Sequence, residues 1–207
     1  SLYTLSIPNY QLVVNMAGEL VETSVDNGDG TFTYDVPVRE GYTWSDGSPI
    51  TANDWEFTFD TVKSLSLGGN FLSSYPYSCE DEEGTAKNCV VSVVATDDYT
   101  VSITFNYDPG LSTWQYGTAQ GIAFSKAYWE QYATDKETLY AHDATNAPVA
   151  SAFVYDKLEQ GAFYTWKYDA NTMWYGGTTT IYDGGGTGID WDNGKAPAFS
   201  ADFGNTT

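Results

Sequence analysis

The chain has 207 residues, 42% hydrophobic and 16% aromatic, enough to bury a substantial core as one large domain or two small ones. Its 28 acidic against 8 basic residues give a net charge of −20 at pH 7, a field that opposes phosphate backbones and anionic lipid and excludes nucleic acid as an expected partner. No run of about 18 apolar residues is present, and the opening SLYTLSIPNY has neither the basic nor the apolar region of an export signal.

Two environments account for the acidity: an extracellular surface kept soluble by charge, or adaptation to high salt. In chain order, Gly18 to Val38 alternates around DNGDG, a turn cluster that joins antiparallel strands, and predicts a hairpin. Asp26, Asn27 and Asp29 do not make an EF-hand, because Pro37 stands where that loop needs a bidentate Glu. REGYTW then reads as a short strand after a turn at Glu40-Gly41, and Asp46-Gly47 supplies a second turn before Pro49. Thr51 followed by Asp54 is close to a capping box and starts a helix with Trp55, Phe59 and Val62 on its buried face, expected to end near Gly68.

Cys79 and Cys89 are the only cysteines and have no second Cys or His pair for zinc. They read as a disulfide, stable in an oxidising compartment, with two unpaired thiols as the alternative. Residues 89 to 107 read as a second hairpin turning at Thr96-Asp97-Asp98, with Val101, Ile103 and Phe105 on one face. Ser125 is placed to cap a short helix, and TDKETLYAH offers a further turn or two of helix. AFVYDKLEQGAFYTWKYDAN reads as a third hairpin turning near Gln160-Gly161. Beyond Trp174 the chain turns glycine-rich, with strand-like pieces and no clear partner within these residues.

The chemistry inventory is sparse. His142, the only histidine, sits at a helix end and reads as a surface imidazole, and no nucleophile elbow accompanies it. DGGGTGIDWDNG lacks phosphate-loop spacing. No enzyme, cofactor or metal is expected. Seven Trp and seventeen Tyr point to ligand-cleft walls as well as core packing.

VPVREGYTWSDGSPITANDWEFTFDTV resembles the signature region of the extracytoplasmic solute-binding proteins of peptide and nickel ABC importers. There a strand ending in Arg-x-Gly leads to an aromatic, an Asp-Gly-x-Pro turn and a Thr-Ala-x-Asp helix start. Arg39, Gly41, Trp44, Asp46, Gly47, Pro49, Thr51, Ala52 and Asp54 match it. The preceding hairpin, VVATDDYTVSITF, FSKAYWEQY and the hairpin before MWYGG follow in the family's order. Departures are Ser151-Ala152-Phe153 in place of Gly-Pro-Tyr, and Thr172 in place of the Pro after Asn171.

The resemblance runs from Ser1 to Gly177 and implies an α+β fold: a mixed or antiparallel sheet of hairpins with two or three flanking helices. It makes residues 1–207 one partial lobe of a type II periplasmic-binding-protein-like fold, with residues 178–207 a glycine-rich tail. It further implies a non-catalytic binder outside the cytoplasm, with a peptide or other small solute and a membrane ABC permease as partners. Phe71, Tyr75, Trp114 and Tyr116 are the ligand-contact candidates. Two alternatives are a carbohydrate-binding β module using Trp and Tyr platforms, and a surface-layer or filament subunit that self-associates through its C-terminal tail.

Overall fold

The computed structural model describes residues 1–5, 10–151, 153–159 and 161–169, and the backbone of 178–182 and 188–192. The chain divides into two compact units, one of residues 1–41 and 49–142, the other of 42–48 and 143–207.

In the first unit β1 (Tyr3–Leu5) pairs antiparallel with β2 (Leu12–Val14). The predicted first hairpin is β3 (Val25–Asp26) and β4 (Phe32–Pro37). Asp26 accepts the Gly28 N–H at 2.8 Å and Asp29 the Thr31 N–H at 3.0 Å. These aspartates shape a turn by bonding their own backbone. α1 (Ala52–Ser64) and α2 (Asn70–Ser74) follow, then β5 (Val90–Asp97) and β6 (Thr100–Phe105), the second predicted hairpin. The four strands form one antiparallel sheet in the order β3-β4-β6-β5.

Alternation fixes the buried side of that sheet. Tyr34 and Val36 on β4 and Val101, Ile103 and Phe105 on β6 point inward. α1 packs on β5 and β6 and buries Trp55, Phe59 and Val62 there, each burial worth about 2 kcal/mol. The turn between β5 and β6 holds the helix start, with Asp98 O accepting the Ala52 N–H at 2.8 Å.

α1 ends at Ser64, before the expected Gly68. Leu67 N donates to Val62 O at 2.9 Å and Ser66 N to Lys63 O at 3.3 Å, the two bonds of a Schellman stop. The left-handed residue is Ser66, at φ 51°, with Leu67 buried beyond it. REGYTW likewise forms no strand. Gly41 at φ 80° and Gly47 at φ 86° take the chain out of extended geometry on both sides.

Cys79 and Cys89 form the expected disulfide, and Cys89 is fully buried at the start of β5. Closing this loop contributes about 3 kcal/mol in the chain-entropy model. The unit ends with α3 (Lys126–Trp129) and α4 (Lys136–Ala141). Asp135 caps α4, accepting the Thr138 N–H at 2.8 Å. Among the described residues the flanking helices are α1 and α4, with α2 and α3 single turns of helix.

In the second unit Ser45 and Val149 exchange two bonds: Ser45 N donates to Val149 O, and Val149 N donates to Ser45 Oγ, each at 3.0 Å. β7 (Phe153–Glu159) and β8 (Phe163–Tyr168) are the third hairpin, turning at Gly161 with φ 79°. The register pairs Phe153 with Tyr168, Tyr155 with Trp166 and Leu158 with Tyr164, so one face is wholly aromatic and aliphatic. The other carries Lys167 and Thr165 beside Asp156.

The glycine-rich tail corrects the expectation that its strand-like pieces have no partner. β9 (Thr178–Tyr182) and β10 (Gly188–Asp192) pair antiparallel with each other, Ile181 opposite Ile189. Ala152, Gln160, Asn171, Thr172 and Trp174 lie outside the described residues.

Candidate functional site

The signature residues act as architecture. Arg39 donates from its backbone N to Met16 O at 2.8 Å and from Nε to Ala17 O at 3.1 Å. Asp46 accepts the Ser48 N–H at 2.9 Å, closing the turn before Pro49. Asp54, 3% exposed, completes the capping box by accepting the Thr51 N–H on Oδ2 at 3.0 Å.

The same carboxylate has a second task that its spacing did not reveal. Its Oδ1 accepts the Lys126 N–H at 2.8 Å, the first helical N–H of α3. Ser125 occupies the predicted cap position but its hydroxyl makes no cap bond and is buried without a partner. Thr58 completes the junction, donating to Asp54 O at 2.6 Å and accepting the Phe124 N–H at 2.7 Å.

The four ligand-contact candidates fall into different surroundings. Phe71, half-buried on α2, begins an aromatic run: its ring lies 5.2 Å from Phe124, which lies 5.8 Å from Trp129. The run ends at His142, which the sequence placed at the surface. It is instead half-buried, stacked 3.5 Å from Tyr132 with its Nε2 2.9 Å from Tyr128 Oη. Tyr75 is fully buried, its hydroxyl donating to Ile122 O at 3.1 Å, and burial raises its pKa. The ring therefore presents no surface to solvent in this structure. Tyr116 is 49% exposed.

Trp114 belongs to a separate group. Its indole stacks on Tyr34 with centroids 3.8 Å apart and planes 11° off parallel, and meets Tyr3 edge-on at 6.0 Å. Nε1 donates to Val21 O at 2.9 Å. This pair floors a cavity of about 340 Å³ between β4, the loop at 22–24 and the turn at 108–115. Glu22, Thr23, Ser24 and Asp108 form its polar wall. Ser24 Oγ donates to Asp108 Oδ1 at 3.5 Å. Burial raises the Tyr34 pKa and the nearby Asp108 charge adds to it, against a hydrogen bond from Ser24. β4 alternation shows Tyr34 as inward-facing. Its partnership with Trp114 and the polar wall is a long-range fact that no local pattern carries.

Among the described residues no group of three or more His, Cys, Asp and Glu is placed to hold a metal ion, and no helix is long and apolar enough to cross a membrane.

The profile of the bacterial extracellular solute-binding proteins, family 5 Middle, matches residues 15–190. The chain belongs to this family. The oligopeptide-binding protein OppA of Bacillus subtilis is 33% identical over 93 residues, 42% of this chain and 16% of that protein. A probable ABC transporter-binding protein of Deinococcus radiodurans is 29% identical over 92 residues, 44% of this chain and 14% of that protein.

Solved structures share the fold. The oligopeptide-binding protein AppA of Bacillus subtilis, in complex with a nonapeptide, superposes at TM-score 0.59 with 16% identity, covering 82% of this chain and 30% of that one. NikZ of Campylobacter jejuni, in complex with Ni(L-His), gives 0.57 with 17% identity, covering 99% and 35%. The chain thus spans about a third of these solved relatives, and its hairpins and flanking helices are an α+β part of that type II binding-protein architecture.

Proposed function

We propose that these residues are part of one lobe of a longer extracytoplasmic protein that captures a solute, most simply a peptide, and delivers it to a membrane ABC permease. The family match over residues 15–190 carries this reading. The relatives solved with a nonapeptide and with Ni(L-His) supply the ligand classes to be tested. The Cys79–Cys89 disulfide supports a place outside the cytoplasm, where such bonds persist. Affinity in this reading comes from enclosure of the solute, not from chemistry on it, and no turnover is expected. Ring surfaces that are half-buried, such as Phe71 and Trp129, suit that purpose.

β9 and β10 pair with each other, which gives the strands of the tail a partner within the chain. The test is to release bound solutes from the purified longer protein by denaturation, identify them by mass spectrometry, and titrate them back by calorimetry. Peptides that rebind support the proposal. Binding of glycans with no peptide binding overturns it in favour of a carbohydrate module.

A further inference from the structure

We propose that Cys79 is the sulfur through which an external thiol, best a cationic aminothiol, exchanges with this protein, and that Cys89, held by Asn106, is the sulfur that expels it. The two ends of the disulfide differ in access: Cys79 is half-buried, and Cys89 has no exposed surface. Exchange depends on which sulfur a thiolate can reach, so attack falls on Cys79. The step needs no net oxidant or reductant. The incoming thiol loses its proton and its thiolate bonds to Cys79 Sγ. The Cys79–Cys89 bond breaks, and Cys89 leaves with the electron pair and takes up a proton.

Reversal needs Cys89 to stay beside Cys79 once the bond between them is gone, and hydrogen bonds independent of the sulfurs hold it there. Asn106, just beyond β6, accepts the Cys89 N–H on Oδ1 at 2.9 Å and donates from Nδ2 to Lys87 O at 2.9 Å. Its own N donates to Cys89 O at 3.3 Å. Lys87 N donates to Cys79 O at 2.9 Å and Val90 N to Pro76 O at 2.8 Å, which joins the two arms of the loop. Cys89 thus meets any adduct on Cys79 as an intramolecular, positioned nucleophile. Charge then selects the thiol. Glu80, Asp81, Glu82 and Glu83 follow Cys79 directly and are all exposed, against Lys87 on the other arm. That local field draws a cationic thiol and repels an anionic one.

This goes beyond the solute-capture reading and does not rest on it. The experiment exposes the oxidised 207-residue chain to cysteamine, then traps free thiols with N-ethylmaleimide under denaturing, mildly acidic conditions. Peptide mass spectrometry reads both cysteines. The expected result is cysteamine on Cys79 in at least about tenfold excess over cysteamine on Cys89. Asn106→Ala, which frees Cys89, raises the adduct at least about tenfold at the same thiol concentration. Asn106→Asp, which keeps the acceptor for the Cys89 N–H, raises it less. Corrected for thiolate fraction, cysteamine reacts faster than 3-mercaptopropionate, and about 1 M salt narrows the gap.

Thermal melts report whether each variant folds. Should Asn106→Ala fail to fold, the single variants Cys89→Ser and Cys79→Ser carry the test. Cystamine, the disulfide of the same aminothiol, then labels Cys79 in the first at least about tenfold faster than Cys89 in the second. Adduct on Cys89 equal to that on Cys79, adduct unaltered in a folded Asn106→Ala chain, or equal thiolate-corrected rates for the two thiols at low salt overturn the proposal.

Discussion

The Asp54 carboxylate and the Lys126 backbone N–H meet at 2.8 Å across 72 residues of sequence, so one buried side chain serves the starts of two helices. Asp54→Ala leaves two N–H groups without their charged acceptor in a buried place. The expected loss is about 3 kcal/mol, read as a lower urea midpoint at unchanged slope. Asp54→Asn, which keeps one carbonyl acceptor, should lose about half as much. A loss for Asp54→Ala below about 0.5 kcal/mol would contradict the double role.

Ser66 closes α1 at φ 51°, a conformation that costs an L residue about 1 kcal/mol and glycine very little. Ser66→Gly should therefore stabilise the chain by up to about 1 kcal/mol despite the greater freedom of glycine in the unfolded state. Destabilisation in the same measurement would show that the Ser66 side chain does more than close the helix.

Gly121 lies under the Tyr75 ring: a Cβ there would sit 2.8 Å from both Tyr75 Cζ and Tyr75 Oη. Tyr75 is fully buried and cannot swing clear. Gly121→Ala should cost about 2 kcal/mol by overpacking. Adding Tyr75→Phe removes one of the two clashing atoms, so the double variant should be less destabilised than the sum of the singles. Strict additivity would mean that the two positions do not touch.

Stability should fall at both ends of the pH range, for opposite reasons. Asp29, Asp81 and Asp135 lie below the usual carboxylate range: Asp29 by bonds from the Thr31 hydroxyl and N–H, Asp81 chiefly by the Thr85 N–H, Asp135 chiefly by the Thr138 N–H. Their contribution is complete above the unfolded carboxylate value of about 4 and is lost as pH falls through the lower folded values. Tyr3 is pushed up to about 12 by burial, and Tyr75 is raised by burial too. Their contribution is complete below the unfolded phenol value of about 10 and is lost as pH rises through the folded values. Circular dichroism followed together with phenolate absorbance checks this. Ionisation of all seventeen tyrosines near pH 10 with the fold intact would contradict it.

Local chemistry made most of the elements legible. DNGDG, the turn near Asp98 and the turn at Gly161 each sit between strands in the structure, and Thr51 and Asp54 open α1. Signals of that kind need only neighbours in sequence. Glycine at 68 and 69 is the stronger local pattern for the end of α1, while Val62 and Leu67, buried together, set the stop at Ser66. The capping hydroxyl assigned to Ser125 is idle because Asp54 reaches Lys126 first, and His142 is drawn inward because Tyr128 and Tyr132 converge on it. The Tyr34–Trp114 floor joins a strand to a turn distant in sequence. Such convergences are set by tertiary packing, which alternation and capping rules do not carry.

The most direct test of the account is a calorimetric peptide titration of the 207-residue chain beside the longer protein that carries it. A two-lobe cleft supplies contacts from both sides, while the cost of immobilising the ligand is the same for half a cleft as for a whole one. The account predicts micromolar binding, about −8 kcal/mol, by the longer protein and millimolar binding or none by the chain alone. Submicromolar binding by the isolated chain that Phe71→Ala abolishes would place the solute site wholly within these residues and contradict the two-lobe account.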